Sequence, residues 1–235
     1  MFERIPSGID GLDQLMEGGF IRGHQILLAG QSGTGKTIFG CQFLLEGARH
    51  GETSLYITVE ESPESIVKNM QRFSWGEEFK EYVEDGTIEI ERVVPSTVDG
   101  LIAFVLRKVE EANVKRLVID SLTAAIMVMK DFLGSQNIIR PGMLKLVDAL
   151  RKKGITSLLI SEVPEDNPKK LGIYGFEEYL VDAVIMLSYL GIGGEEFVNL
   201  QIRKMRGTKH ERGILSVTIN DNGLKIGEKS ALMIR

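Results

Sequence analysis

The chain has 235 residues, of which 43% are hydrophobic and 26% charged, and its net charge is −5. This composition gives one large α/β domain, expected over residues 1–235, enough material for a core. It excludes a disordered chain and argues against binding nucleic acid indiscriminately through overall charge. The one cysteine, Cys41, excludes an intrachain disulfide and a multi-cysteine zinc site, and His24, His50 and His210 lie too far apart in sequence to pair as metal ligands.

Met1 to Pro6 has no basic region followed by an apolar one, and no run approaches the roughly 18 apolar residues of a membrane span. A cytoplasmic location and no membrane partner are expected. The first apolar, β-branched run is Gln25 to Gly30, and it leads into GQSGTGKT at residues 30–37. This matches G-x-x-x-x-G-K-[ST] in the required context of strand before and helix after, since Ile38, Phe39, Phe43 and Leu44 give the following segment a helical apolar face. Gly30, Gln31, Ser32, Gly33, Thr34 and Gly35 would turn backbone N–H groups toward phosphate oxygens. Lys36 would neutralise the β and γ phosphates, and the Thr37 hydroxyl would hold Mg²⁺. A dinucleotide is not expected, because Gly33-x-Gly35 is followed three positions on by Ile38 rather than glycine or alanine. Cys41, in the helix near 36–49, reads as core.

The next strand, Ser54 to Val59, ends in Glu60-Glu61, and a helix near 62–73 and a strand at Thr87 to Val93 follow. A carboxylate at that strand end would orient or deprotonate an attacking water; the alternative is that the pair opens the next helix and favours its dipole. Residue types alone leave open which glutamate acts. After a helix near 98–112, the strand Arg116 to Asp120 ends in a carboxylate placed to hold Mg²⁺ or its water, unless Asp120 or Ser121 merely caps the next helix. A helix near 136–153 and strands at Ile155 to Ser161 and Asp182 to Tyr189 complete an alternating pattern, that of a mostly parallel sheet flanked by helices.

The last third changes character. Phe197 to Arg206 and Gly213 to Ile219 are extended runs joined by Gly207-Thr208-Lys209-His210, which suggests an antiparallel hairpin added to the sheet. Even positions of the first run place Val198, Leu200 and Ile202 on one face and continue it into Lys204 and Arg206. The two cations are either a solvated strand end or aimed at a phosphate.

Ser7-Gly8-Ile9-Asp10-Gly11-Leu12-Asp13, Gly18-Gly19 with Gly23, the phosphate loop, Glu60-Glu61, Ile119-Asp120-Ser121, Ser161-Glu162 and Lys204 to His210 together resemble the KaiC family of RecA-like ATPases. The resemblance spans nearly the whole chain. It implies a RecA-type fold, ATP and Mg²⁺, and a homo-oligomeric ring, read as a hexamer, with nucleotide at subunit boundaries. It also implies that Lys204 and Arg206 reach the neighbouring subunit's phosphates, with Thr208 and His210 helping to seat that nucleotide. Clock members of the family carry two such domains and paired Ser and Thr phosphorylation sites. This chain has length for one domain and no convincing counterpart of the pair, so kinase activity is not carried over.

Rings of this type that grip DNA use the segments corresponding to Thr123–Pro141 and Val163–Phe176. Here those segments mix Lys130, Arg140, Lys169 and Lys170 with Asp131, Glu165 and Asp166, and lack interleaved aromatic and basic residues, although Tyr174 and Phe176 follow closely. Three readings stay open: a KaiC-like ATPase acting on an unidentified protein partner, a recombinase-like DNA-binding ATPase of repair, and an ATP-binding ring scaffold with little turnover.

Overall fold

The computed structural model describes residues 2–133, 139–164, 171, 172, 174–192 and 195–229. Glu165, Asp166, Lys169 and Lys170 lie outside the described residues. At the N-terminus β1 (Arg4–Ile5) and β2 (Phe20–Ile21) pair antiparallel around a 3₁₀ turn. Then follow β3 (Gln25–Gly30), α1 (Lys36–Arg49), β4 (Ser54–Thr58), α2 (Pro63–Met70), α3 (Gly76–Glu84), β5 (Ile88–Arg92), α4 (Val98–Glu111) and β6 (Arg116–Asp120). The second half contains α5 (Leu122–Leu133), α6 (Ile139–Lys152), β7 (Thr156–Glu162), the single turn α7 (Glu177–Leu180), β8 (Ala183–Ile192), β9 (Glu195–Met205), β10 (Leu215–Asn220) and β11 (Gly223–Lys229).

Among the described residues nine strands form one sheet in the order β11-β10-β9-β8-β3-β7-β6-β4-β5. Pairing is parallel from β5 across to β8 and antiparallel from β8 to β11. The central strands are apolar on both faces because both are covered. Along β3, Ile26 and Leu28 face the cluster that contains Phe39, Phe43 and Leu44 of α1, while Leu27 and Ala29 face Leu101 of α4, Ile126 of α5 and Leu146 of α6. This is the RecA-type arrangement that the resemblance implies, and β3 sits near its middle, so the loop leaving β3 opens where the parallel strands end.

Several elements differ from the sequence reading. The helix after Asp120, to which the sequence reading gave no bounds, runs from Leu122 through Leu133: α5 is apolar almost all round, with Leu122, Ala125, Ile126 and Met129 buried, so it shows no polar face to mark its period. Strands β1, β2 and β11, helix α3 and the turn α7 have no counterpart in the sequence reading, and β11 carries two glycines that weaken a strand pattern. The expected β9–β10 pairing is present, but it is registered at Leu215↔Leu200 and Ser216↔Asn199, so residues 206–214 form a broad connection instead of a tight turn at 207–210.

The even-numbered face of β9 is also broken. Ile202 lies opposite Ile185 and Lys204 opposite Val184, which leaves Arg203 as a bulge. Past the bulge Met205 rejoins the cluster of Leu200 and Ile202, and Lys204 turns to the opposite face.

Candidate functional site

The loop between β3 and α1 is held by its own backbone and by β8. Thr34 donates from Oγ1 to the Gln31 carbonyl (2.8 Å), and the Gln31 side chain accepts from Tyr189 N–H of β8 (3.1 Å). Gly35 has φ +92°, a left-handed conformation that a side chain would strain. A Cβ on Gly30 would lie 2.8 Å from Thr34 Oγ1 and 2.9 Å from the Leu187 carbonyl, so that position also requires glycine. No side chain caps the 14-residue helix α1. Its first N–H groups therefore face the loop, the arrangement that suits an anion.

Lys36 points back along the loop, with Nζ 2.8 Å from the Gln31 carbonyl. Burial lowers the pKa of its ammonium, opposed by the charges of Glu162, Asp120 and Glu60. Thr37 Oγ1 donates to Asp120 Oδ2 at 2.9 Å, so the two expected metal ligands are brought together from α1 and β6. Tyr56, buried on β4, donates from Oη to the same oxygen at 2.5 Å. Burial and then the Asp120 charge push the phenol pKa well up, so Tyr56 keeps its proton and orients that carboxylate. The alternative role of a helix cap falls to Ser121 Oγ, which accepts from Ala124 N–H (3.0 Å) and leaves Asp120 to the cleft.

The cleft, of about 490 Å³, is lined by Lys36, Thr37, Asp120, Glu60, Glu61 and Glu162 among others. Glu60 and Glu61 do not open a helix, because Ser62 is the cap of α2, accepting from Ser65 N–H, and Pro63 begins it. The two glutamates differ in surroundings. Glu61 accepts at Oε2 from Ser65 Oγ (3.3 Å) and Asn69 Nδ2 (3.4 Å), which ties it to α2. Glu60 has its carboxyl pKa raised by burial first, then by the like charges of Glu162, Asp120 and Glu61, with Lys36 pulling the other way. Glu162, noted in the sequence only as part of the resemblance, reaches the cleft because β7 adjoins β3 with Glu162 opposite Gly30. Its N–H donates to Thr123 Oγ1 of α5 (2.9 Å).

A carboxylate acting as base is useful only without its proton, and Glu60 holds its proton to higher pH than an ordinary glutamate. Any turnover that depends on Glu60 is therefore lost as pH falls through that raised pKa. Glu162→Gln removes the like charge that acts most strongly on Glu60, lowers the Glu60 pKa and should move the acid limb of kcat/KM to lower pH. A limb unmoved in that variant would disconnect Glu60 from the reaction or Glu162 from Glu60.

Hard oxygen donors are what Mg²⁺ selects, and Thr37 Oγ1 with Asp120 fits it at the edge of a phosphate loop. Among the described residues no three His, Cys, Asp or Glu side chains are placed to hold a metal ion by themselves. Such a cation would thus need phosphate oxygens and water to complete its ligands.

Lys204, Arg206, Thr208 and His210 are not brought to this cleft. Met205 lies opposite Ala183, and Ala183 opposite Ile26, so β9 delivers Arg206 to the edge where the parallel strands begin. The phosphate loop leaves from their ends, about 16 Å away along β3. Lys204 Nζ donates to the carbonyls of Glu178 (3.1 Å) and Val181 (2.7 Å), and Arg206 Nη1 to Asp182 Oδ1 (3.3 Å). Thr208 Oγ1 accepts from Arg4, and His210 Nδ1 lies 3.0 Å from the Glu211 carbonyl. Of the segments compared with DNA-gripping loops, the first is largely α5 and the start of α6. In the second, Tyr174 and Phe176 pack against each other and against the core on the α4 and α6 side. Among the described residues no helix is long and apolar enough to cross a membrane.

The family model described as "ATPase: KaiC" matches residues 5–231. A UPF0273 protein from Methanopyrus kandleri is 31% identical over 241 residues, which cover 95% of this chain and 92% of that protein. The circadian clock protein KaiC3 of Synechocystis is 31% identical over 98% of this chain but 46% of its own length, so the chain spans about half the length of the clock proteins it matches. Among solved structures, a KaiC-like protein from the hyperthermophilic archaeon Pyrococcus horikoshii superposes with a TM-score of 0.85 at 36% identity, covering 97% of this chain and 100% of that one.

Proposed function

The chain belongs to the KaiC family of ATPases, and from that premise we propose that it is a single cytoplasmic ATPase domain that hydrolyses Mg·ATP at the boundaries of a homo-oligomeric ring, with six subunits as the expected number. Its cycle would drive a protein partner. The observation that carries this reading is the convergence of Lys36, Thr37, Asp120 and Glu60 on one cleft.

In this mechanism the backbone of residues 30–35 and Lys36 bind the phosphates, and Thr37 and Asp120 would hold Mg²⁺, which would supply charge neutralisation for the phosphoryl transfer. Glu60 accepts a proton from a water whose oxygen forms a bond to the γ-phosphorus. The bond from that phosphorus to the β–γ bridging oxygen breaks, and ADP leaves with the electron pair. Glu60 is preferred to Glu61 as the base because Glu61 is already engaged by Ser65 and Asn69. Glu61 then fixes α2 against the strand end. Tyr56 holds Asp120 in its ligating orientation.

Lys204 and Arg206 are assigned to the neighbouring subunit's phosphates. Their position at the far edge of the sheet supports this, since a cation there cannot serve its own loop. A guanidinium supplied across a boundary suits a transferring phosphoryl group. Thr208 and His210 would line the same boundary.

Steady-state turnover, with and without single-stranded DNA and with the particle mass followed by light scattering, tests the proposal. We expect Mg²⁺-dependent hydrolysis by a multi-subunit particle, unchanged by DNA. Stimulation by DNA would replace this reading with the recombinase-like one. Tight ATP binding without turnover would replace it with the scaffold.

A further inference from the structure

The segment from Glu178 to Asp182 seats both cations assigned above to the neighbouring subunit. Lys204 Nζ sits on the carbonyls of Glu178 and Val181 at the end of α7, and the backbone N–H of Arg206 donates to the Asp182 carbonyl (3.0 Å). The Asp182 side chain is only 8% exposed, and its position does not depend on Arg206. Gln25 N–H of β3 donates to its Oδ2 (3.0 Å), and Arg151 Nη2 of α6 lies 3.1 and 3.3 Å from its two oxygens. Burial opposes the charge of this carboxylate, but the Gln25 N–H and Arg151 outweigh it and hold the pKa below the usual range.

Against this fixed anion rests Arg206, whose side chain is 56% exposed and which engages Asp182 by one N–H at 3.3 Å. That contact is too long and too exposed to be a strong stabilising pair. It restricts the rotamers of a long side chain while leaving most of its donor fork facing outward, so little further ordering is needed when a phosphate arrives.

We propose that Asp182 is a positioning residue that pre-organises Arg206 for the nucleotide of the adjacent subunit. This rests on the assignment of Arg206 made under the proposed function. Asp182 itself touches no substrate and acts only through the arginine.

A double-mutant cycle on turnover by the assembled protein tests it, with equilibrium ATP binding followed alongside. Asp182→Asn keeps an acceptor for Gln25 N–H and removes the charge. In the Arg206 background it should lower kcat on the order of fivefold, the scale of a long, exposed ion pair, and leave ATP affinity unchanged. In the Arg206→Ala background, read by single turnover, the same change should have almost no effect. Equal losses in the two backgrounds would show a merely structural role and overturn the inference, as would no loss beside Arg206. If the Asn variant does not fold, Asp182→Glu decides in the same cycle, because shifting the carboxylate by one methylene should matter only where Arg206 is present. Full turnover by Arg206→Ala alone would sink the underlying assignment, an outcome distinct from failure of the cycle.

Discussion

Lys36→Ala is expected to weaken Mg·ATP binding by at least two orders of magnitude. The lysine sits at the start of α1 beside the loop of residues 30–35, and in the proposed site it would supply the charge that backbone N–H groups cannot. Charge-assisted contacts to phosphate are each worth about 1.5–3 kcal/mol, so losing the ammonium from the β and γ oxygens costs on the order of 10²-fold or more. The fold should survive, since the replaced side chain makes its hydrogen bond to a loop carbonyl and contributes nothing to either core cluster. Equilibrium titration with a fluorescent ATP analogue checks this, and parental affinity in the variant would remove the loop from the binding site.

Glu60→Gln is expected to separate binding from chemistry. Glutamine is isosteric and cannot accept the proton of the attacking water, so turnover should fall on the order of 10²- to 10⁴-fold while ATP affinity is kept or rises. Affinity can rise because Glu60 shares the cleft with Glu162, Asp120 and Glu61, and removing one of these four negative charges relieves repulsion. Glu61→Gln should cost far less, about tenfold at most, because an amide oxygen can still accept from Ser65 and Asn69. Comparing kcat and nucleotide affinity for the two single variants decides the order. A larger loss at Glu61 would exchange the two roles.

The parts of the site that were legible in the sequence are those whose chemistry is local. GQSGTGKT carries its own turn, its own N–H groups and the start of its own helix, and an apolar strand ending at Asp120 announces a carboxylate at a sheet edge. What was not legible depends on which strands are neighbours. Tyr56 is an ordinary strand residue until β4 and β6 lie side by side and α1 crosses them, and Glu162 joins the cleft only because β7 adjoins β3. The distinction between Glu60 and Glu61 lies beyond the end of β4, where period-two alternation no longer applies, and it is set by hydrogen bonds from α2. The bulge at Arg203 leaves no mark in the hydrophobic pattern, so the side to which Lys204 turns was misread. Asp182 looked like the first residue of a buried strand, and its two arginine partners come from α6 and the segment after β9.

The central claim, hydrolysis completed across a subunit boundary, is tested most directly by mixing two inactive variants. Lys36→Ala subunits keep Arg206, and Arg206→Ala subunits keep the phosphate loop, so each alone should hydrolyse ATP poorly. In a mixed ring some boundaries pair an intact loop with an intact arginine from the neighbour. The account predicts partial recovery of turnover that rises with subunit exchange and is greatest near equal proportions. With exchange demonstrated by fluorescence transfer between labelled subunits, a mixture no more active than the sum of its parts would contradict it.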